Sequence, residues 1–182
     1  MHTRLILILI STLFFSASTS DRSGNDLVWD ATTMLTWDDF QGKPDVTAKG
    51  DAASKVSIRA TPYKKQTKLY YDVNTIFHRN QSWCKTPSVD LLRHEQIHFD
   101  IAELYARKAR MAISSLKRKG VRDVKVYNAA ISEIFEESNL FDAQYDHETV
   151  HGASRKKQTE WEYSVRIELM LLNRFTKENW KH

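Results

Sequence analysis

Cysteine, proline and glycine are all scarce in this 182-residue chain. The single cysteine, Cys84, excludes an internal disulfide, so an exported form of the protein has to be stabilised by packing or by a metal. Three prolines and five glycines mark few turns, and the sequence contains no repeat or low-complexity linker. The net charge of +4 is spread over small basic clusters, which is typical of solvated faces and argues against a nucleic-acid partner.

Long apolar runs are missing after the first twenty residues. Residues 5–15 are apolar, follow a weakly positive start and precede small residues at 16–20, which is the pattern of a secretory signal peptide. The run is short for a bilayer span, so we expect cleavage and no stable membrane insertion afterwards; an uncleaved anchor is the alternative. Residues 21–182 are then expected to form a single secreted or periplasmic domain, and loss of Arg4 lowers the net charge to +3.

The spacing of apolar residues changes about halfway along the chain. Residues 56–60 and 69–73 alternate between apolar and polar types, which predicts two strands joined by a hairpin connection at 62–66, with a shorter strand at 35–37. Helical spacing follows, and three helices are expected over residues 88 or 90 to 117, 124–145 and 158–175. This order predicts an α+β fold in which a small N-terminal antiparallel sheet precedes three main helices.

The segment 94–98 reads His-Glu-Gln-Ile-His and lies within the first predicted helix. Residues four apart share a helix face, roughly 5–6 Å apart at Cβ, so His94 and His98 can present two imidazole nitrogens to one zinc ion. Glu95 lies about 100° further round the helix, where it can take a proton from the attacking water. The pattern predicts a Zn²⁺ site with Glu95 as general base.

Helix phase supports the metal site. His94 and His98 continue an apolar stripe, and buried imidazoles need partners that a metal supplies. A pair of satisfied structural histidines is the alternative. Polar residues occupy the other side of the helix: Arg93, Gln96, Asp100, Glu103, Arg107 and Arg110. Glu103 and Arg107 can pair there at i,i+4, and Asp100, which points away from the histidines, is expected to be a solvated surface carboxylate.

A third protein ligand has to come from elsewhere, because the position six residues beyond His98 is Leu104, which excludes the metzincin pattern. Glu133 and Glu137 lie in a charge-rich run that is more typical of an exposed face. The richest supply of donors is residues 145–152, although these polar residues also suit a simple helix end.

Three segments, 35–44, 91–103 and 145–161, together resemble a bacterial family named for a proposed secreted zinc-dependent protease activity and still largely of unknown function. The resemblance implies a zincin-like fold and hydrolysis of peptide bonds, without a substrate. Ile97 departs from it, since a small residue is expected there, and this change concerns packing under the helix.

Within 145–152 we expect His151 to be the third ligand, because neutral imidazole suits zinc and Gly152 allows the chain to turn toward the first helix. Asp146 is the second candidate, and whichever is not a ligand is expected to orient a ligand imidazole. Tyr145 is a candidate hydrogen-bond donor to the developing oxyanion and equally a candidate core residue.

The sequence therefore predicts an exported zinc-dependent peptidase whose substrate is a peptide or protein. An edge strand of the sheet is expected to line the cleft and to bind this substrate in extended form. Two alternatives remain open. One is an exported binding module that keeps zinc for structure, and the other is a metal-dependent hydrolase of a non-peptide amide such as one in the cell wall. The sequence makes no prediction about the oligomeric state.

Overall fold

In a computed structural model, the structure describes residues 24–32 and 34–180, and the predicted signal segment 1–20 lies outside them. The strands are β1 (Asp26–Val28), β2 (Ala52–Ala53), β3 (Val56–Lys65), β4 (Lys68–His78) and β5 (Trp83–Cys84). The helices are α1 (Val89–Arg118), α2 (Val124–Thr149) and α3 (Arg155–Leu171). Short 3₁₀ turns occupy Trp37–Asp39, Arg79–Gln81 and Asn173–Phe175. The α+β class, with a small antiparallel sheet before three helices, is confirmed.

The main sheet has the order β1-β4-β3, so β3 is an edge strand. The predicted hairpin exists, but its connection was placed wrongly at 62–66, because Pro62 lies inside β3 and pairs with Tyr71. Proline is tolerated there because an edge strand does not need every N–H for pairing. The turn falls after Lys65, where Gln66 adopts a left-handed φ of 57°.

The strand predicted at 35–37 is replaced by a coil and the 3₁₀ turn Trp37–Asp39. Oδ2 of Asp39 accepts hydrogen bonds from the backbone N and the Oγ1 of Thr36, at 2.8 and 2.9 Å. Such local bonds from a side chain compete with strand pairing. A sequence interpretation based on alternation alone therefore missed the turn.

The three predicted helices are present with shifted ends. Helix α1 begins after Ser88, whose Oγ accepts a hydrogen bond from the backbone N of Leu91, and it ends before Gly120 at φ 72°. Helix α2 continues to Thr149, four residues beyond the predicted end. None of the helices within 24–32 and 34–180 has the length and apolarity needed to cross a bilayer.

Helix α1 lies at the centre of the molecule. It packs against β3 and β4 on one side and against α2 and α3 on the other. Buried apolar residues of β4, α1, α2 and the segment after α3 join in one cluster around it: Tyr71, Val73, Ala106, Ala109, Ile113, Tyr127, Ile131, Phe175 and Trp180.

Most of the polar side of α1 is buried, namely Gln96, Glu103, Arg107 and Arg110, whereas Arg93 at its beginning is exposed. Oε1 of Glu103 accepts hydrogen bonds from Arg107 Nε at 3.0 Å and Arg110 Nη1 at 2.9 Å, and its Oε2 accepts one from Thr75 Oγ1 at 2.8 Å. Glu103 is only 2% exposed. The sheet and the C-terminal turn cover this side, and periodicity within a single helix does not predict such cover.

The expectation that Asp100 is a solvated surface carboxylate is wrong. Its Oδ1 accepts hydrogen bonds from Trp29 Nε1 at 2.8 Å and from Gln96 Nε2 at 3.0 Å. Burial is the largest influence on its carboxyl group and raises the pKa above the usual range. Asp100 therefore joins α1 to the segment that follows β1, and it is not a solvated surface group.

Replacing Glu103 by alanine is expected to lower the free energy of unfolding by about 3–5 kcal/mol, because two buried guanidinium groups lose their carboxylate partner. Urea unfolding in the presence of EDTA measures this without a contribution from metal. Glu133→Ala, at an exposed position of α2, is the matched control and should change stability by less than about 0.5 kcal/mol. Equal effects of the two substitutions would contradict a structural role for the Glu103 network.

Candidate metal centre

Side chains of two helices converge at one point. His94 and His98 of α1 and Asp146 of α2 bring one nitrogen or oxygen each into a group whose atoms all lie within 4.8 Å of one another. His94 Nε2 and His98 Nε2 lie 3.0 and 3.3 Å from Asp146 Oδ1 and 3.2 Å from each other. Ligand distances of 2.0–2.2 Å in a tetrahedral zinc site correspond to edges of about 3.3–3.6 Å. The three donors are therefore spaced almost as zinc ligands are, and this group can hold a metal ion.

Each imidazole is oriented by a partner on its other nitrogen. His98 Nδ1 lies 2.6 Å from Asp142 Oδ1, and His94 Nδ1 lies 3.2 Å from Gln158 Oε1. The hydroxyl of Tyr145 donates to the same Gln158 oxygen at 2.7 Å, which identifies that atom as an acceptor. Both Nδ1 atoms therefore carry the proton, and both Nε2 atoms point to the shared site, as in metal-binding histidines.

The sequence analysis did not identify Asp142 or the role of Gln158. Asp142 had a usable signal, because it precedes Asp146 by four residues and so shares its face of α2. Gln158 had none, since its contact with His94 spans 64 residues and depends on how α3 packs.

The donor group contains close pairs of histidine and carboxylate side chains. Burial alone would lower the pKa of His98, but hydrogen bonds to Asp142 and Asp146 outweigh burial and raise the pKa to about 10. Burial likewise opposes ionisation of Asp146, yet hydrogen bonds from His94 and His98 hold the pKa of that carboxyl well below its usual range. The two carboxylates of α2 therefore favour positive charge at this point, which is also what a metal cation would bring.

The structure reverses the expected order of the two candidates for third ligand. The His151 side chain is 75% exposed, and its Nδ1 lies 3.4 Å from Asp146 Oδ1, outside the group of three. Helix α2 continues through Thr149 and so keeps Asp146 on its inner face. Val150 and His151 then adopt left-handed φ values of 52° and 50°, which carry His151 to the rim of the cavity.

Tyr145 is a core residue, which confirms one of its two expected roles; the other, as an oxyanion donor, stays a prediction. The side chain is fully buried, and its ring stacks on His94 with centroids 4.8 Å apart. The hydroxyl donates to Gln158 Oε1 and also lies 3.2 Å from the His94 backbone oxygen, away from the cavity. Tyr145 therefore packs against the His94 imidazole on the side away from the cavity.

Gly152 lies directly against the side chain of His94. A Cβ atom at this position would lie 3.0 to 3.3 Å from Cγ, Cβ and Nδ1 of His94. Its φ of 82° is also left-handed. Two independent constraints therefore require glycine here, and both act on the turn that leads from α2 toward α3.

The three donors face a cavity of about 830 Å³ between the sheet and the helices. One wall consists of residues 49–54 and the beginning of β3, so the predicted position of the edge strand beside the site is confirmed. Glu95 lines the same cavity and is only 3% exposed. Its carboxylate forms no hydrogen bond with any residue that the structure describes, so it is available to a water or substrate in the cavity.

Zinc affinity is expected to separate the two candidates for third ligand. Asp146→Ala should abolish high-affinity binding as His94→Ala does, while His151→Ala, which leaves all three donors in place, should change the affinity less than about 3-fold. Asp142→Ala and Gln158→Ala remove partners of Nδ1 and should weaken binding by about 10- to 100-fold. Competition titration against a chromogenic zinc chelator measures each value; loss of zinc in His151→Ala with retention in Asp146→Ala would contradict the geometry.

Gly152→Ala is expected to displace the His94 ring, since the new methyl group meets it at about 3.0 Å. The substitution should weaken zinc binding about 10-fold or more, as loss of an orienting contact does. Gly120→Ala is the matched control, because Gly120 has a similar φ of 72° and open space around it. Equal zinc affinity of the two variants would show that contact with His94 is unimportant.

Comparison with known proteins identifies a family and no characterised relative. No curated protein and no solved structure matches the chain significantly. The model of the family described as "Bacterial protein of unknown function (DUF922)" matches residues 22–152. The match includes His94, Glu95, His98 and Asp146 and ends at Gly152, before Gln158. The part of the predicted resemblance that concerns an uncharacterised bacterial family is confirmed, and the chain belongs to this family of bacterial proteins of unknown function.

Proposed function

We propose that the protein is an exported zinc-dependent peptidase in which His94, His98 and Asp146 hold the metal and Glu95 is the general base. The observation that carries the proposal is a set of three donor atoms 3.0–3.3 Å apart beside a buried, unpaired carboxylate in an open cavity. The export part rests on the apolar segment at 5–15 and the small residues after it.

The donor set favours a catalytic site over a structural one. Two imidazoles and one carboxylate are common zinc ligands, and structural zinc sites take a fourth protein ligand. In the part of the chain that the structure describes, no fourth His, Cys, Asp or Glu joins the group. The same donors also suit Fe(II), but a buried carboxylate next in sequence to a ligand favours hydrolysis.

Glu95 has the position and the surroundings of a base. It follows His94 on α1, so its carboxylate reaches the cavity beside the donors and not between them. It takes a proton from the attacking water, whose oxygen bonds to the scissile carbonyl carbon, and it returns the proton to the amine nitrogen when the C–N bond breaks. Zinc, when bound, would polarise the carbonyl and lower the pKa of water.

The cavity fits an extended chain. β3 pairs with β4 on one side only, and its first residues, Val56 to Ile58, line the cavity with residues 49–54. An unpaired strand edge offers N–H and C=O groups to which an extended peptide can add. The small side chains of Ala52 and Ala53 leave space beside that edge. These features favour a peptide over the amide of a compact cell-wall component.

Glu95→Gln is expected to keep the fold and the zinc but to lower the turnover of an unstructured protein such as casein by about 10²- to 10⁴-fold, because an amide cannot accept the proton. Bound zinc is measured by elemental analysis, and cleavage is followed with and without EDTA. Glu133→Gln makes the same chemical change at an exposed site on α2 and should retain full activity.

Wild-type turnover in Glu95→Gln would exclude Glu95 as the base. Loss of zinc from that variant would make Glu95 a ligand and change the design of the site. A zinc-loaded wild-type protein that cleaves cell-wall amides but no peptide would favour the non-peptide hydrolase. If it cleaves neither, the exported binding module becomes the better interpretation.

A further inference from the structure

The turn between β3 and β4 lies at the same end of the molecule as the end of α1 and the beginning of α2. Lys117 Nζ of α1 lies 4.1 Å from the ring centroid of Tyr70, and the hydroxyl of Tyr71 donates to Asn128 Oδ1 of α2 at 2.9 Å. Burial and, after it, the charge of Lys68 lower the pKa of Lys117. Three elements that are distant in the sequence therefore form one surface.

This surface is strongly basic. Segments 61–72 and 114–128 contain eight basic and two acidic residues, a net charge of +6, whereas the whole chain carries +4 and the rest of it therefore −2. Lys177 and Glu178, in the C-terminal segment beside α1, add one charge of each sign. We call the eight basic residues the basic end: Lys64, Lys65, Lys68, Lys117, Arg118, Lys119, Arg122 and Lys125.

The basic end lacks carboxylate partners. Seven of its eight residues are exposed, and only Lys117 is half-buried. Within the part of the chain that the structure describes, none of the eight forms an ion pair. Lys65 lies directly opposite Lys68 across the hairpin, and like charges in such positions are destabilising. The whole group is therefore available to an anionic partner outside the protein.

The exposed basic cluster at 155–157 differs from the basic end. The Arg155 guanidinium pairs with Asp90, and Lys157 Nζ lies 3.0 Å from Glu160. Carboxylates thus neutralise much of this cluster, which lies beside the beginning of α1, where Asp90 is located. The attraction for an anionic partner is therefore concentrated at one end of the molecule.

Exposed apolar side chains lie among the charges of the basic end. Tyr63 is 43% exposed and precedes Lys64, while Val124 and Val126, at 39% and 44%, flank Lys125. A tyrosine ring with a polar tip suits the boundary between lipid and water. A soluble polyanion is held mainly by charge, whereas a lipid surface also takes up apolar side chains. The mixture therefore favours a lipid surface.

We infer that the basic end binds the surface of a bilayer that contains anionic phospholipid, without inserting a helix. Each lysine or arginine near such a surface raises the affinity roughly 5-fold, and apolar side chains at the boundary add to this. The choice of a lipid surface over a nucleic acid also rests on the proposed export, which brings the protein to the outside of a membrane.

Membrane binding of this kind keeps the metal cavity away from the lipid. Lys117 follows His98 by 19 residues on α1, which at 1.5 Å per residue is about 28 Å. No residue of the basic end lines the cavity. The cavity thus stays open to a substrate while the protein is bound. Zinc content and casein cleavage test the peptidase proposal separately, so the two proposals can fail independently.

Co-sedimentation with vesicles tests the inference on the processed chain, to which the apolar segment 5–15 cannot contribute. The wild type should bind vesicles made of equal parts phosphatidylglycerol and phosphatidylcholine, and it should not bind pure phosphatidylcholine. Binding should be lost as NaCl rises from about 0.05 M to about 0.5 M, because salt screens the attraction between exposed charges.

Reversal of two charges should separate the basic end from the net charge of the chain. Lys65→Glu with Lys68→Glu should weaken vesicle binding about 25-fold or more, since each residue contributes roughly 5-fold. Lys156→Glu with Lys157→Glu makes the same change in net charge at the other exposed cluster and should weaken binding less than about 3-fold. Circular dichroism of each double variant checks that the fold is kept.

Four results would overturn the inference. The first two are a wild type that does not bind vesicles at low salt and one that binds pure phosphatidylcholine equally well. The third is an equal loss of binding in the two double variants, which would assign the effect to net charge alone. The fourth is tighter binding to a single-stranded oligonucleotide than to the vesicles at the same salt concentration, which would assign the basic end to a soluble polyanion.

Discussion

Helix α1 packs against the sheet on one side and against α2 and α3 on the other, so the polar groups that face these elements need partners inside the protein. On the side of the sheet, Glu103 satisfies this requirement by joining Arg107 and Arg110. On the side of α2, His94 and His98 face Asp146. The same constraint thus produces an ionic network in the middle of the helix and an open donor group nearer its N-terminus.

The Glu103 network and the metal-binding group differ in whether a ligand can reach them. The Glu103 network also includes hydrogen bonds from Arg110 to the backbone oxygens of Val73 and Phe175, and none of its charged residues lines the metal cavity. The group around Asp146 opens into the large cavity, with the unpaired Glu95 at its edge. Contacts with Asp142, Gln158 and Gly152 hold the two imidazoles in place.

Local features of the sequence predicted the helices, the paired strands and the two histidines, because each depends on spacing within one element. The position of Asp146 depended on where α2 ends, and four additional helical residues decided between it and His151. Burial of Glu103 and Asp100 depended on which elements pack on which face, and periodicity in one helix does not contain that information. Gln158 acts across 64 residues and required the tertiary structure. Peptidase activity, zinc and export stay predictions.

The central claim is that one metal ion binds between α1 and α2 through two imidazoles and one carboxylate. Anomalous diffraction at the zinc edge from crystals of the zinc-loaded protein tests it most directly. The account predicts a single strong peak within about 2.2 Å of His94 Nε2, His98 Nε2 and an oxygen of Asp146, with no fourth protein ligand. The absence of such a peak, or a peak coordinated by His151 with Asp146 turned away, would contradict it.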